Sequence, residues 1–230
     1  MEKIAITITT RNRPEVLKKS LEMWDKFLPD NATIFVIDDA SKIPVESYFR
    51  FEKNVGISKA KSKCLEIAKD FDHIFLVDDD VRPKVKDWYL PYINSGENHL
   101  CLTFERDSRG RHYNSSIRKE GDYKNLISYT YPNGCFLYLK KICIERAGAF
   151  RPEFDVWGYE HVEYSSRIHA LGLTPKPFLD VPNSLDLIEV LDYYTSVKSS
   201  VDPNVKRIAG TKNLTIYKKY DGKPDYVPFP

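Results

Sequence analysis

Three short strand-like runs, each stopping abruptly at a cluster of polar side chains, constrain this chain more than any other feature. Ile4 to Thr10 (IAITITT) stops at Arg11-Asn12-Arg13-Pro14, Ala32 to Ile37 (ATIFVI) at Asp38-Asp39-Ala40-Ser41, and His73 to Val77 (HIFLV) at Asp78-Asp79-Asp80. Helical runs separate them. Pro14 suits a first helical turn and is followed by Val16, Leu17, Leu21 and Trp24 at helical spacing; Ile57 to Ala68 repeats the pattern with Ile57, Ala60, Cys64, Leu65 and Ala68. Parallel neighbours in a sheet need such crossover helices, so the alternation predicts an α/β fold with a Rossmann-like, mostly parallel central sheet flanked by helices. Ligands in such sheets bind beyond the carboxyl ends of the strands, which is where all three polar clusters fall.

The chain can bury a sheet of this kind. Its 230 residues are 42% apolar and 30% charged, the size and balance of one domain with a real core and an ordinary soluble surface. Lys plus Arg number 35 against 33 Asp plus Glu, a formal charge of +2 that demands no nucleic-acid partner. Cys64, Cys101, Cys135 and Cys143 form no CxxC pair and no zinc-type spacing. They read as reduced core thiols and point to the cytoplasm. Met1 to Ile6 leads into a strand with no secretory apolar region. No run approaches the ~18 apolar residues of a membrane span, so any membrane contact is expected to be peripheral.

Past residue 90 the pattern changes. His99 to Phe104, Ser128 to Tyr131 and Gly134 to Leu139 predict strands, and the polar loop Arg106 to Asp122 suits a mobile flap. Lys141 to Ala147 predicts a short helix ending at Gly148. Tyr159 to Leu171 predicts an amphipathic helix closed by Gly172, and a polar, Pro-containing tail is expected from Ser199.

The acidic cluster carries the sharpest chemistry. Three consecutive carboxylates repel one another, so a fold keeps them where a cation or solvent offsets their charge. Asp78 and Asp80 are spaced i, i+2, which in an extended segment puts both on one face, able to share a divalent ion. Hard oxygen donors suit Mg²⁺ or Mn²⁺, and such an ion commonly bridges to substrate phosphates. A solvated turn capping the next segment is the duller account. Asp38-Asp39-Ala40-Ser41 likewise reads either as an Asx turn or helix cap, or as a receiver of base or ribose.

With these motifs in place, residues 3–175 resemble the inverting family 2 glycosyltransferases and their relatives with the GT-A fold. Thr9 to Pro14 looks like the opening strand and nucleotide-touching loop. Asp38-Asp39-Ala40-Ser41 looks like the stretch whose second Asp meets the base, and Asn54 to Lys61 is similar to the family's helix start. Asp78-Asp79-Asp80 matches the DxD motif, with Asp80 at the metal-ligating position. Trp157 to Arg167 looks like the acceptor-side motif, and Asn213 to Tyr220 is similar to the C-terminal segment. The family usually has Asp after the Glu of the acceptor motif, as catalytic base; here that position is His161. Related retaining enzymes acting on polypeptides also lack that Asp, so the resemblance leaves base and stereochemical outcome open.

The resemblance implies a domain over 1–198, with a donor half at 1–98 and an acceptor half at 99–198, and a tail at 199–230 packing on or near the active site. It implies a nucleotide-sugar donor, most commonly a uridine nucleotide, and Mn²⁺ or Mg²⁺ held by Asp78 and Asp80. Thr9, Arg11, Asp39, Lys61 and Asp79 are expected at the donor, and Trp157, Gly158 and Glu160 at the acceptor. His161 and Glu160 are the two choices for the base that takes the acceptor hydroxyl proton. Trp157 reads equally as a sugar-stacking ring or as core, and Arg167 as an ion-pair partner of Glu163 or Glu160. His73, His99, His112 and His169 are expected to be surface or core residues. A glycan, a lipid-linked sugar, a protein or a modified nucleic acid all fit as acceptor. Two other readings compete: a nucleotidyltransferase, against which the glycine-free loop TTRNRP counts, and a non-catalytic sugar- or nucleotide-binding module.

Overall fold

A computed structural model describes residues 2–112, 115–154, 156–194, 197 and 201–230. The first half alternates as expected: β1 (Ile4–Thr10), α1 (Pro14–Lys26), β2 (Ala32–Asp38), β3 (Phe49–Arg50), α2 (Ile57–Ala68) and β4 (His73–Asp78). After it come β5 (Val81–Pro83), α3 (Leu90–Ile93), β6 (His99–Cys101), β7 (Lys119–Tyr123), β8 (Leu126–Tyr129) and β9 (Phe136–Lys140). The chain continues through α4 (Lys141–Ala147), α5 (Glu160–Ala170), β10 (Leu179–Asp180), α6 (Ser184–Leu187), β11 (Ile188–Val190) and α7 (Pro203–Tyr220).

The main sheet has six strands in the order β3-β2-β1-β4-β9-β6. The pairings from β3 to β4 are parallel, and β9 runs antiparallel to both β4 and β6. Alternate side chains of the buried strands face opposite layers. Ile4, Ile6, Ile8, Phe75 and Val77 join Leu17 and Trp24 of α1 with Trp88 and Tyr92 in one core. Ala5, Ile74 and Leu76 join Cys64, Leu65 and Ala68 of α2 and residues of α4 and α5 in the other. Both faces are therefore covered, which is why these strands read as continuous apolar runs.

The register levels the functional edge. Thr10 lies opposite Asp38 of β2, and Thr9 opposite Asp78 of β4. Because β9 runs the other way, it delivers its N-terminal approach, Asn133-Gly134-Cys135, to that same edge, where the Asp78 amide donates to the Cys135 carbonyl at 2.9 Å.

Three expectations change in the folded chain. The strand expected over His99 to Phe104 ends at Cys101: the Leu102 amide still donates to the Phe136 carbonyl at 3.1 Å, but the two after it are taken by side chains, Thr103 donating to Asp180 Oδ2 at 2.9 Å and Phe104 to Asn133 Oδ1 at 2.7 Å. The Arg106 to Asp122 flap is the approach to a hairpin, β7-β8, and Tyr113 and Asn114 within it lie outside the described residues. The expected start of the tail, at Ser199, also lies outside them; from Pro203 the segment is an 18-residue helix whose N-cap, Asp202, accepts from the Asn204 and Val205 amides. Among the described residues no helix is long and apolar enough to cross a membrane.

Asp180 is buried in β10, accepting from the Thr103 and Val181 amides, and burial pushes its carboxyl up to about 7. A folded-state pKa above the unfolded value of about 3.9 means that folding takes up a proton between the two values. Its contribution is thus complete below pH ~4 and lost as pH rises through about 7. Urea unfolding is expected to show stability declining from pH 5 to 8, with Asp180→Asn removing part of that decline; an identical slope in the variant would refute the assignment.

Candidate active site

One cavity of about 1010 Å³ opens at the carboxyl edge of the sheet. It brings together every residue singled out by sequence: Thr9, Arg11, Asp39, Lys61, Asp78, Asp79, Asp80, Trp157, Gly158, Glu160 and His161. Their roles in the fold differ.

The acidic turn is neutralised from inside the protein. Arg13 Nη1 donates to Asp80 Oδ2 at 2.8 Å, and its Nε and Nη2 serve the two oxygens of Asp79. Thr10 Oγ1 adds a 2.7 Å bond to Asp79 Oδ2, and Ser20 Oγ donates to the Asp79 carbonyl. Asp79, expected at the donor, is fully buried and committed to the protein. Asp78 is different: it accepts from Thr9 Oγ1 at 3.3 Å, lies 3.7 Å from Lys61 Nζ, and keeps 28% of its side chain exposed. Desolvation raises both the Asp78 and Asp79 carboxyls above their ordinary range, against the pull of Lys61 on the first and Arg13 on the second.

Lys61 was expected to reach a nucleoside or phosphate, but its ammonium is 3% exposed and aimed at protein oxygens. It donates to the Gly134 carbonyl at 3.0 Å and to Glu160 Oε1 at 3.3 Å. Burial works against its charge, but Asp78 and Glu160 outweigh that and hold it above the usual ammonium range. Lys61 therefore ties the strand edge to the start of α5.

Asp39 acts first as a loop clamp, accepting from the Val55 and Gly56 amides at 2.7 and 3.2 Å just ahead of α2. Burial lifts its carboxyl above the ordinary range, although those amides and Arg11 pull the other way. Asp38 makes the Asx-type turn to the Ser41 amide and pairs with Arg50. The Arg11 Nε is buried with no hydrogen-bond partner among the described residues, an orphan donor in the cavity wall.

On the opposite wall, Gly158 and Tyr159 both take positive φ (88° and 68°), turning the chain sharply into α5. Glu160 is its first residue, where the helix dipole favours a carboxylate. His161 Nδ1 lies 3.1 Å from Glu160 Oε1, while Glu160 Oε2 is buried without a partner among the described residues. Burial would raise the Glu160 carboxyl, but His161 and Lys61 overcome it and hold the group well below the usual range. Below this pair, Glu163 binds Arg151 and Arg167, and Arg167 also donates to the Ala147 and Ala149 carbonyls; the expected intrahelical ion pair is a buried network.

Trp157 is 42% exposed at the cavity wall, so it is not core. Lys206 of α7 lies 4.9 Å from its ring centroid. Asn213 donates to the Trp157 and Gly158 carbonyls at 2.9 Å each and pins α7 to this turn. Of the other imidazoles, His73 and His99 are buried against protein partners.

Sequence reasoning had Arg13 only as part of the nucleotide-touching loop and expected the tail near the site without naming the residues of α7 that line it; Gly134 it missed. The helical nature of α7 carried a readable sign, the Asp202-Pro203 pair of a helix start. Among the described residues no three His, Cys, Asp or Glu side chains form a metal cage. The donor chemistry nonetheless fits a hard divalent ion shared with a ligand: four carboxylates, Asp78, Asp79, Asp80 and Glu160, meet two fixed cations, Arg13 and Lys61. Such ions are commonly held by one or two carboxylates plus phosphate oxygens, a role open to Asp78 and Asp80.

No family model matches the sequence. The chain is 31% identical over 212 residues to an uncharacterized glycosyltransferase of Acanthamoeba polyphaga mimivirus, covering 84% of this chain and 79% of that one. Its fold is similar to GalNAc-T7, solved with UDP, GalNAc and Mn²⁺ (17% identity, TM-score 0.61, 79% of this chain). It is also similar to the Pyrobaculum calidifontis mannosyltransferase PcManGT, solved with GDP-Man and Mn²⁺ (13%, TM-score 0.56, 75% of this chain). S. aureus TarS 1-349 with UDP is a third neighbour (14%, TM-score 0.55, 73% of this chain). The chain spans 43%, 53% and 55% of those three chains. The shared architecture is GT-A.

Gly134 is where this geometry is easiest to break. Its φ is +83°, and a Cβ there would fall 2.5 Å from the His161 ring. Gly134→Ala is expected to cost about 1–3 kcal/mol from backbone strain alone and to shift the His161 ring nitrogen signals in an NMR spectrum. Unchanged stability and unchanged imidazole resonances would show that the contact is not maintained in solution.

Proposed function

This chain belongs to the glycosyltransferases, and from that premise we propose that it moves a sugar from a nucleoside-diphosphate sugar, a uridine nucleotide foremost, to an acceptor hydroxyl. The observation that carries this reading is the meeting of two pairs across one cavity. Asp78 and Asp80 stand at the end of β4, Glu160 and His161 at the start of α5, and Lys61 joins them through Asp78 and Glu160.

Asp78 and Asp80 are the residues to hold Mn²⁺ or Mg²⁺, which when bound offsets the charge that builds on a departing diphosphate. Thr9, Arg11 and Asp39 line the donor end; the orphan Arg11 Nε is the donor that an oxygen of the nucleotide would satisfy. At the acceptor end, Glu160 Oε1 holds His161 Nδ1, which leaves Nε2 to take the proton of the attacking hydroxyl. The contact favours His161 as base and Glu160 as its orienting partner, because Glu160 Oε1 is already engaged by Lys61 Nζ and His161 Nδ1, whereas the second imidazole nitrogen is left to accept a proton. Glu160 Oε2 remains for a sugar hydroxyl, and the exposed Trp157 offers a ring for an apolar sugar face. A base opposite the leaving diphosphate gives inversion, as in the family 2 enzymes. The four free thiols support a cytoplasmic setting.

A thermal-shift panel of nucleotide sugars, with and without Mn²⁺, tests the donor side. Stabilisation by one donor only when metal is present is expected, and Asp80→Asn should abolish it. His161→Ala is expected to keep that binding while lowering transfer to glycan, lipid-linked, protein or modified nucleic-acid acceptors by about 10²–10⁴-fold. Metal-independent donor binding, or full transfer by His161→Ala, would overturn the reading; donor binding with no transfer to any acceptor would mark a binding module.

A further inference from the structure

The acidic turn after β4 carries its own counter-ion. Arg13, at the start of α1, reaches across the strand edge to two carboxylates 66 and 67 positions away. Its side chain is 18% exposed against 0% for Asp79 and 5% for Asp80, so Arg13 is more open than the two carboxylates it binds and itself lines the cavity. Arg13 and Thr10 together use both oxygens of Asp79, whereas Asp80 gives only Oδ2 to Arg13.

We propose that Arg13 is a resident cation with which a divalent metal must compete at Asp80, so that metal alone binds weakly and binds well only together with a nucleoside diphosphate. This rests on the metal-dependent reading above. A guanidinium at hydrogen-bond distance weakens the field that would draw a second cation to Asp80 and repels that cation directly. A diphosphate reverses the balance, since it brings negative charge that both cations can share, and the planar Arg fork suits phosphate oxygens. Arg13 thereby turns a general cation site into one that prefers a metal–diphosphate pair. It is a positioning residue for Asp79 and a gate on Asp80.

Calorimetric titrations with Mn²⁺ alone, UDP alone, and Mn²⁺ at saturating UDP test this on the full chain. Arg13→Met is expected to tighten Mn²⁺ alone by roughly tenfold, the lower end of what groups beside metal ligands are worth, and to shrink the factor by which UDP tightens Mn²⁺. Arg13→Lys keeps the charge and should stay near wild type for the metal alone. Because Arg13→Met strands a buried Asp79, the double variant Arg13→Met/Asp79→Asn removes both partners and should show the same gain. Unchanged or weaker Mn²⁺ binding in both folded Met variants overturns the proposal while leaving the function standing. A wild-type chain that binds no Mn²⁺ even with UDP overturns the metal-dependent function itself and this inference with it.

Discussion

Two cations, Lys61 buried and Arg13 half-buried, hold the carboxyl edge of the sheet together. Asp78, Asp79 and Asp80 follow directly on a strand buried on both faces, where unpaired charge is costly. Arg13 answers the second and third, and Lys61 the first. Each cation comes from a different crossover helix, so neutralising the turn also fixes where α1 and α2 meet the sheet. Removing either would leave carboxylates that must take up protons or drag the turn toward water.

The same economy shapes the opposite wall. Lys61 reaches past Asp78 to Glu160 and to the carbonyl of Gly134, so the two walls share one ammonium. Gly134 is bare where the imidazole of His161 packs over it, and the Glu163–Arg151–Arg167 network locks the following turn of α5 into the core. Glu160 and His161 thus stand on a rigid helix start rather than on a loop. Helix α7 completes the wall through Asn213 and the stacked pair Tyr159 and Tyr217, and carries Lys206 over Trp157.

The alternation of strands and helices was legible because each of the first buried strands is a short, largely apolar or β-branched run with a sharp polar stop. The start of α1 at Pro14 and the whole of α2 follow from proline placement and apolar spacing. The later strands were blurred: β6 is cut short where side chains from far along the chain, Asp180 and Asn133, take the amides of Thr103 and Phe104 beyond it. Helix α7 was read as a tail because the stripe it buries, Ala209, Asn213 and Tyr217, is only partly apolar. Its central residue is an amide that binds the Trp157 turn, a partner no local pattern contains.

Sequence alone determined the layers of the fold and the chemical types that gather at its edge, since periodicity and strand-ending carboxylates are properties of neighbours along the chain. The tertiary structure decided how those residues divide the work. It committed Asp79 to Arg13, turned the Lys61 ammonium onto Asp78 and Glu160, paired His161 with Glu160, and brought α7 over Trp157. Those outcomes depend on which charges are desolvated together, and desolvation is set by contacts between segments that lie far apart in sequence.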